Sequence, residues 1–310
     1  MQQPIVAPKA LAPVRRRRGL PGETVAAWSF LTPNLVGFVV FVVGPVVASF
    51  VLSFTQYDLI RPPKFIGLDN YATLLFHDPL MWQSLGNTLY YSVLTIPSGI
   101  VIALALALAL NQGLRGTIVY RTLYFLPVVT SAIAISFVWK WLYNPDFGLL
   151  NWLLSLVNIT GPDWLNDPAW AMPSIAAAAV WKSLGYTMVI LLAGLQGVPQ
   201  HLYEAAKIDG ASAWERFRHV TLPLISPSLF FVTVISVIGS FQVFDQVYVM
   251  TQGGPGHATL VYNYYLYQNA FQYFKMGYAS AMAYILFAII IVATLIQVRL
   301  LNRRVVYDVA

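Results

Sequence analysis

The sequence predicts an all-α polytopic membrane protein with six transmembrane helices. Of its 310 residues, 58% are hydrophobic and only 10% are charged, and the mean hydropathy is +0.66. A soluble core could not bury that much apolar surface, so the composition indicates a membrane protein. The absence of cysteine excludes disulfides, a thiolate nucleophile and a cysteine-based metal site.

Six apolar runs are long enough to cross a hydrocarbon layer of ~30 Å. The second contains an Ala-Leu alternation over residues 103–110 that fits a strand in a soluble protein, but its length predicts a helix. Pro33, Gly44, Pro45 and Pro127 predict local kinks. The predicted membrane domain is 28–301, between an N-terminal tail 1–27 and a C-terminal tail 302–310, and its spans are 28–55, 87–111, 118–143, 170–196, 223–251 and 276–301.

Basic residues fall on alternate loops and tails, which predicts that both termini are cytoplasmic. The run Arg15 to Arg18 is interpreted as a topology anchor that also contacts anionic lipid. A nucleic-acid patch and a signal peptide are the alternatives, but the following apolar run is too long for a cleaved leader. The basic residues assigned to the cytoplasmic side are Lys9, Arg15 to Arg18, Arg115, Arg121, Lys207, Arg216, Arg218, Arg299, Arg303 and Arg304.

The polar loop 197–222, between the fourth and fifth spans, has helical signatures. Pro199 suits the first turn of a helix and Gly210 suits the left-handed position after its end. Ser212 and Glu215 form the pattern of a capping box for a second short helix, and Pro223 marks the entry to the next span. The pattern predicts two helices and a tight turn at the membrane surface, either as a docking surface or as an interfacial element with no partner.

This loop resembles the EAA motif of permease subunits of ATP-binding cassette importers. The matching residues are Glu204, Ala205, Ala206, Gly210, Leu222 and Pro223. The resemblance implies the type I ABC importer permease fold, with the loop as a coupling helix that enters a cleft of an ATPase subunit. The residues it implies for coupling are Glu204, Ala205, Ala206, Asp209, Gly210 and Ala211.

Two further segments narrow the resemblance to the carbohydrate-uptake branch, maltose or glycerol-3-phosphate permease-like. They are residues 65–71, Phe-Ile-Gly-Leu-Asp-Asn-Tyr, and residues 251–255, Thr-Gln-Gly-Gly-Pro. The resemblance implies a multi-pass subunit of a bacterial or archaeal inner membrane. Its implied partners are a sister permease, two ATPase subunits and an extracytoplasmic solute-binding protein, with a sugar or, alternatively, glycerol-3-phosphate or a glycerophosphodiester as solute.

No catalytic, nucleotide or metal site is predicted in the chain itself. The glycine cluster 253–256 lacks the Gly-Lys-Ser/Thr of a phosphate-binding loop, and the four histidines are scattered among loops. We therefore expect no cofactor in this chain, with ATP and Mg²⁺ bound by partner ATPase subunits, and no nucleic-acid partner. An ion-coupled secondary transporter is a different-class alternative, but it usually carries paired intramembrane carboxylates and a visible repeat.

Polar groups inside the spans predict the substrate pathway, because charges at membrane depth are costly. Lys182 and Asp245 lie in the fourth and fifth spans, either as a pair that fixes helix packing or as a polar lining. Sugars need hydrogen-bonding groups beside flat apolar surfaces, which favours Ser236 and Gln242. The resemblance implies Leu184, Gly185, Gly239 and Ser240 as further contacts. The aromatic run 262–274 is interpreted as an interfacial belt, with a sugar platform as the alternative.

Overall fold

The computed structural model describes residues 21–113 and 116–301. Most of the predicted N-terminal tail and all of the C-terminal tail therefore lie outside the described residues. The chain divides into two compact units, residues 1–51 and residues 52–310. Within the described residues the fold is almost entirely helical, which confirms the predicted class.

The first unit contains most of the first predicted span, 28–55. Helix α1 (Pro21–Phe38) continues through a π-helical segment (Val39–Val43) into α2 (Gly44–Ser53). This π-helical turn ends at Val43, directly before Gly44 and Pro45 continue the helix, and Pro45 has no N–H to donate to it. Pro33 lies inside α1, so the predicted distortions are absorbed without ending the 30-residue apolar span Thr24–Ser53.

The second unit starts with a small antiparallel ribbon, β1 (Thr55–Gln56) and β2 (Lys64–Phe65), in which Thr55 pairs with Phe65. The Asn70 side-chain amide donates to the carbonyls of Ser53 and Thr55, both at 2.9 Å. The helices that follow are α3 (Asp69–Phe76), α4 (Pro79–Leu110), α5 (Thr117–Val129), α6 (Ala132–Leu142), α7 (Leu149–Ser155), α8 (Pro168–Gln196), α9 (Gln200–Ile208), α10 (Ala213–Arg216), α11 (Leu222–Leu224), α12 (Ser226–Phe241), α13 (Asp245–Met250), α14 (Tyr262–Tyr267) and α15 (Met276–Leu301), with π-helical segments at Phe217–Thr221 and Gln268–Gln272.

Five of the predicted spans are helices long and apolar enough to cross a membrane, within the described residues. The third predicted span, 118–143, is not one straight helix. Its halves α5 and α6 meet at an angle of 100°, because Thr130 and Ser131 adopt extended backbone angles. The pair is the sixth span if it crosses as one broken unit. Pro127 lies inside α5, so the break follows the proline rather than occurring at it.

Helix α8 packs against α4, α5 and α12 at the centre of the second unit. Small residues allow this close packing, and Gly185 is the tightest point. A Cβ at Gly185 would lie 2.1 Å from the carbonyl oxygen of Tyr124 in α5. Glycine is therefore required where the two helix backbones meet.

The aromatic run 262–274 differs from an interfacial belt in its first half. Tyr262, Tyr264 and Tyr265 are only 0%, 3% and 8% exposed. The Tyr265 hydroxyl donates to a carboxylate oxygen of Asp78 at 2.7 Å, while the other oxygen of Asp78 caps the start of α4. These rings therefore join α14 to α4 as part of the core.

Candidate transport cavity and coupling loop

The central cavity, of about 520 Å³, opens among α4, α5, α6, α8, α12 and the start of α13. Along α4 and α8 its lining residues fall between two buried apolar clusters. The lining contains six of the eight residues predicted for the substrate pathway: Lys182, Ser236, Gly239, Ser240, Gln242 and Asp245. The fold thus collects these polar groups, predicted from two separate spans, around one space.

Leu184 and Gly185, the other two predicted pathway residues, lie outside this lining. Leu184 packs against an apolar cluster that includes Met188 and Ile225. Gly185 faces the backbone of Tyr124. In this structure both positions serve helix packing, and their contact with solute stays a prediction.

The cavity depends on a break in the fifth span. Helix α12 ends at Phe241 and α13 begins at Asp245, and Phe244 between them has φ −147° and ψ −58°. The Gln242 carbonyl accepts a hydrogen bond from the Asn263 side-chain amide at 3.1 Å. Irregular backbone at membrane depth is tolerated where it lines a cavity or is buried in protein, which is the arrangement here.

Lys182 and Asp245 both line the cavity and are both partly exposed. Their charged groups do not approach within 4.0 Å of each other, and no hydrogen bond within the described part of the chain engages either side chain. The geometry therefore favours the polar-lining interpretation over a pair that fixes helix packing. A cavity with one group of each sign presents both a donor cation and an acceptor anion to a solute.

Sequence reasoning missed several polar residues of the lining. Tyr91 and Thr95 come from α4, and Ser183, Tyr186 and Thr187 come from α8. A signal was available, because Tyr91 and Thr95, like Lys182 and Tyr186, are four residues apart and so share a helix face. Which face points inward is decided only by the packing of the helices.

A second cavity of about 360 Å³ lies at the far end of α6 and α13. The Lys140 ammonium donates to the Val249 carbonyl at 3.3 Å on its wall. The lining is rich in polar groups, including Lys140, Tyr143, Asn144, Asp163, Asn166 and Gln252. Since α13 contributes to both cavities, this space lies one short helix away from the first.

The predicted coupling loop folds as two short helices joined by a tight turn. Helix α9 ends at Ile208, and Gly210 has φ +82°. The Ala211 N–H donates to the Ala206 carbonyl at 2.9 Å and the Gly210 N–H to the Lys207 carbonyl at 3.1 Å. These two bonds define a Schellman motif, so glycine occupies the left-handed position that the sequence predicts.

The capping box at the start of α10 is also present. The Glu215 carboxylate accepts from the Ser212 N–H at 2.7 Å, and the Ser212 hydroxyl accepts from the Glu215 N–H at 3.3 Å. The Ser212 hydroxyl and the Ser212 N–H both interact with the Glu215 carboxylate and lower the pKa of that carboxyl. The Arg216 guanidinium donates to the Ala211 carbonyl at 2.6 Å, which further fixes the turn.

The turn presents an exposed surface with an apolar tip. Glu204, Ala205, Asp209 and Gly210 are exposed, while Ala206 and Ala211 are partly buried. Ile208 is 87% exposed and Trp214 is 65% exposed, and neither was predicted for coupling. The loop therefore leaves two large apolar side chains open, which suits either a docking surface or an element at the membrane interface.

The loop is attached to the ends of the membrane helices. The hydroxyls of Tyr203 in α9 and Thr221 are 3.0 Å apart. Val198 and Ile225, at the two ends of the loop, lie in one apolar cluster with the ends of α4 and α8. A force applied to the loop would therefore reach the helices that line the central cavity.

A polar cavity within a helical membrane domain, beside an exposed helical loop, is the arrangement expected of a transport subunit. Within the described residues no group of three or more histidine or acidic side chains could hold a metal ion. The chain belongs to the family of binding-protein-dependent transport system inner membrane components, whose family model matches residues 79–307. It is a multi-pass membrane protein of the ABC importer type, and the predicted family resemblance is confirmed.

Full-length relatives support this assignment. The chain is 39% identical over 287 residues to the probable ABC transporter permease protein YesP of Bacillus subtilis, covering 91% of this chain and 92% of that protein. It is 38% identical to the lactose transport system permease protein LacF of Rhizobium radiobacter, with 88% and 93% covered. It is 36% identical to the trehalose/maltose transport system permease protein MalF of Thermococcus litoralis, with 89% and 94% covered.

The fold also matches a solved structure. A chain of a bacterial ABC transporter involved in import of the acidic polysaccharide alginate superimposes with a TM-score of 0.80 at 24% identity, covering 91% of this chain and 96% of that chain. At that identity the likeness supports the fold alone. It confirms the predicted importer permease architecture.

Proposed function

We propose that this chain is a membrane-spanning subunit of an ATP-driven importer and that, with a sister permease, it forms the translocation path for a sugar. The observation that carries the proposal is the central cavity, which gathers Ser236, Ser240 and Gln242 with Lys182 and Asp245 at a broken membrane helix. Relatives named for lactose and trehalose/maltose support a sugar as solute.

The cavity chemistry suits a polyhydroxylated solute. Hydroxyl and amide groups can both donate to and accept from sugar hydroxyls. Phe244 and Tyr186 add aromatic surface to the same lining, on which the C–H face of a sugar ring can rest. The cavity thus offers both kinds of contact that a pyranose needs.

The loop 197–222 is proposed to dock on one of two partner ATPase subunits, which bind ATP and Mg²⁺. Ile208 would enter a cleft of the partner as an apolar anchor, surrounded by Glu204, Ala205, Asp209 and Gly210. Closure of the ATPases would then move the loop as a rigid body, because its turn is held by the Schellman bonds, the capping box and Arg216.

Transport would proceed by alternating access. An extracytoplasmic binding protein delivers the solute, and ATP binding favours one of two arrangements of the permease pair. ATP binding and the arrangement of the permease pair are coupled if the two arrangements bind the closed ATPase subunits with different affinities. With basic residues on the loop side, that side and both termini are assigned to the cytoplasm.

An importer of glycerol-3-phosphate or a glycerophosphodiester is the second candidate, and Lys182 favours it. This cation lines the cavity without a carboxylate within 4.0 Å in the described residues, so it could pair with a phosphate. Asp245 in the same lining opposes a strongly anionic solute. This balance places neutral sugars first.

The decisive experiment measures ATPase activity of the purified complex in nanodiscs with its binding protein. The panel contains lactose, trehalose, maltotriose, arabinotriose, polyols, glycerol-3-phosphate and glycerophosphodiesters. Stimulation by a sugar supports the proposal, and stimulation by glycerol-3-phosphate or a phosphodiester alone supports the second candidate. An intact complex that no member of the panel stimulates contradicts both.

A further inference from the structure

Five aromatic rings form a connected cluster that begins at the central cavity, and one of them, Phe271, is joined to the rest through Tyr267 alone. We define this aromatic ladder as Phe244, Tyr248, Tyr264, Tyr267 and Phe271. Phe244 stacks on Tyr248 with ring centroids 5.4 Å apart and lies 5.1 Å from Tyr267, and Tyr267 lies 5.3 Å from Phe271. Phe244 also lines the cavity, so the ladder extends the cavity surface.

The outer rings of the ladder are open rather than buried. Tyr248 is 38% exposed and Phe271 is 57% exposed, whereas Tyr264 is 3% exposed. Tyr264 lies behind the others, 6.1 Å from both Phe244 and Tyr248 and 6.3 Å from Tyr267. One buried ring thus supports four accessible or partly accessible ones, which makes a rigid surface at low entropic cost.

Side-chain amides accompany the rings. Gln246 shares the cavity lining with Phe244, and the Tyr264 hydroxyl lies beside the amides of Gln268 and Gln272. Amides are disfavoured on a surface that contacts lipid tails, because placing polar groups in hydrocarbon costs free energy. Flat rings beside amides match the C–H faces and hydroxyl edges of sugar rings.

We propose that the aromatic ladder is a binding track for pyranose units, along which an oligosaccharide extends out of the central cavity. The inference rests on the proposed sugar transport. It adds a location for the sugar units of an oligosaccharide that lie beyond the unit held in the central cavity. It gives the cavity, whose own volume is about 520 Å³, a surface for a longer chain. A contact surface for the sister permease is the competing explanation and is an outcome of the test.

The test compares maltotriose and lactose uptake by the full complex in proteoliposomes. Tyr267→Leu and Phe271→Leu remove a ring, Tyr267→Phe keeps it, and Tyr273→Leu is the matched control. Tyr273 is 55% exposed in the same segment but is not one of the five rings. Uptake of the transported sugar should fall about tenfold in Tyr267→Leu and Phe271→Leu, because each loses one stacking contact. Tyr267→Phe should recover most of the uptake lost in Tyr267→Leu, and Tyr273→Leu should be nearly normal.

Three results would overturn the inference. Unchanged uptake in both ladder variants would do so, as would an equal loss in the Tyr273→Leu control. Loss of the sister permease from the purified Tyr267→Leu or Phe271→Leu complex would show a subunit contact instead. The three results above do not bear on the proposed function. That function is contradicted if the wild-type complex transports no sugar at all, neither maltotriose nor lactose nor any other. Because Phe271 is largely exposed, its substitution tests the track even if the Tyr267→Leu chain fails to fold.

Discussion

Substitution of Gly210 should uncouple ATP hydrolysis from transport in a graded way. Gly210 has φ +82°, and a Cβ added there would meet no atom within 4 Å. The cost is therefore the left-handed backbone alone, about 1–2 kcal/mol for an alanine. If the docked loop must keep this turn, its affinity for the ATPase should fall about 5- to 30-fold in Gly210→Ala.

The graded series separates backbone strain from other causes. Asparagine tolerates the left-handed region, so Gly210→Asn should lose least, and the β-branched Gly210→Val should lose most. The assay is solute-stimulated ATPase and uptake in the reconstituted complex, with the amount of bound ATPase subunit measured in parallel. Normal stimulation in Gly210→Val, or equal losses in all three variants, would refute the reasoning.

Three other changes have outcomes that follow from the structure. Gly185→Ala places a Cβ 2.1 Å from the Tyr124 carbonyl oxygen, so it should destabilise the fold by about 1–3 kcal/mol or more. The loss should appear as a lower thermal midpoint of the purified protein, and an unchanged midpoint would contradict the packing argument. The capping bonds lower the pKa of Glu215, so the capping box stabilises the loop at any pH above the ordinary carboxyl pKa, and that stabilisation is lost as the pH falls through the lowered pKa. Hydrogen exchange of the loop amides should speed up over this pH range in the wild type and much less in Glu215→Gln. Exchanging the charges of Lys182 and Asp245 should leave assembly intact and abolish uptake, whereas normal uptake would indicate that neither charge contacts solute.

The sequence predicted the two helices and the tight turn of the loop 197–222 closely because their signals are local. A Schellman turn and a capping box each involve residues within a few positions of one another, so Gly210, Ser212 and Glu215 specify them without the rest of the fold. The exposure of Ile208 was not predicted. An isoleucine in sequence looks like a core residue, and only the packing of the loop on the spans shows that this one is left open.

Part of the polar cavity was predicted from the sequence, because a charged residue is conspicuous within an apolar run. Lys182 and Asp245 stand out in apolar runs, but their separation depends on the break at Gln242 to Phe244, which no local signal marks. Leu184 and Gly185 show a different limit of the sequence. A small residue in a span fits either a solute contact or a helix contact, and only the approach of the α5 backbone shows that Gly185 is used for packing.

The sequence by itself determined the class of this protein, its membrane spans and its loop motif, because hydropathy, helix caps and turns are properties of short segments. The tertiary structure decided which polar faces meet, where the third and fifth spans break, and that the five rings of the aromatic ladder form one connected cluster. These features join residues that are far apart in the chain, and their geometry depends on how helices pack, which no local pattern encodes.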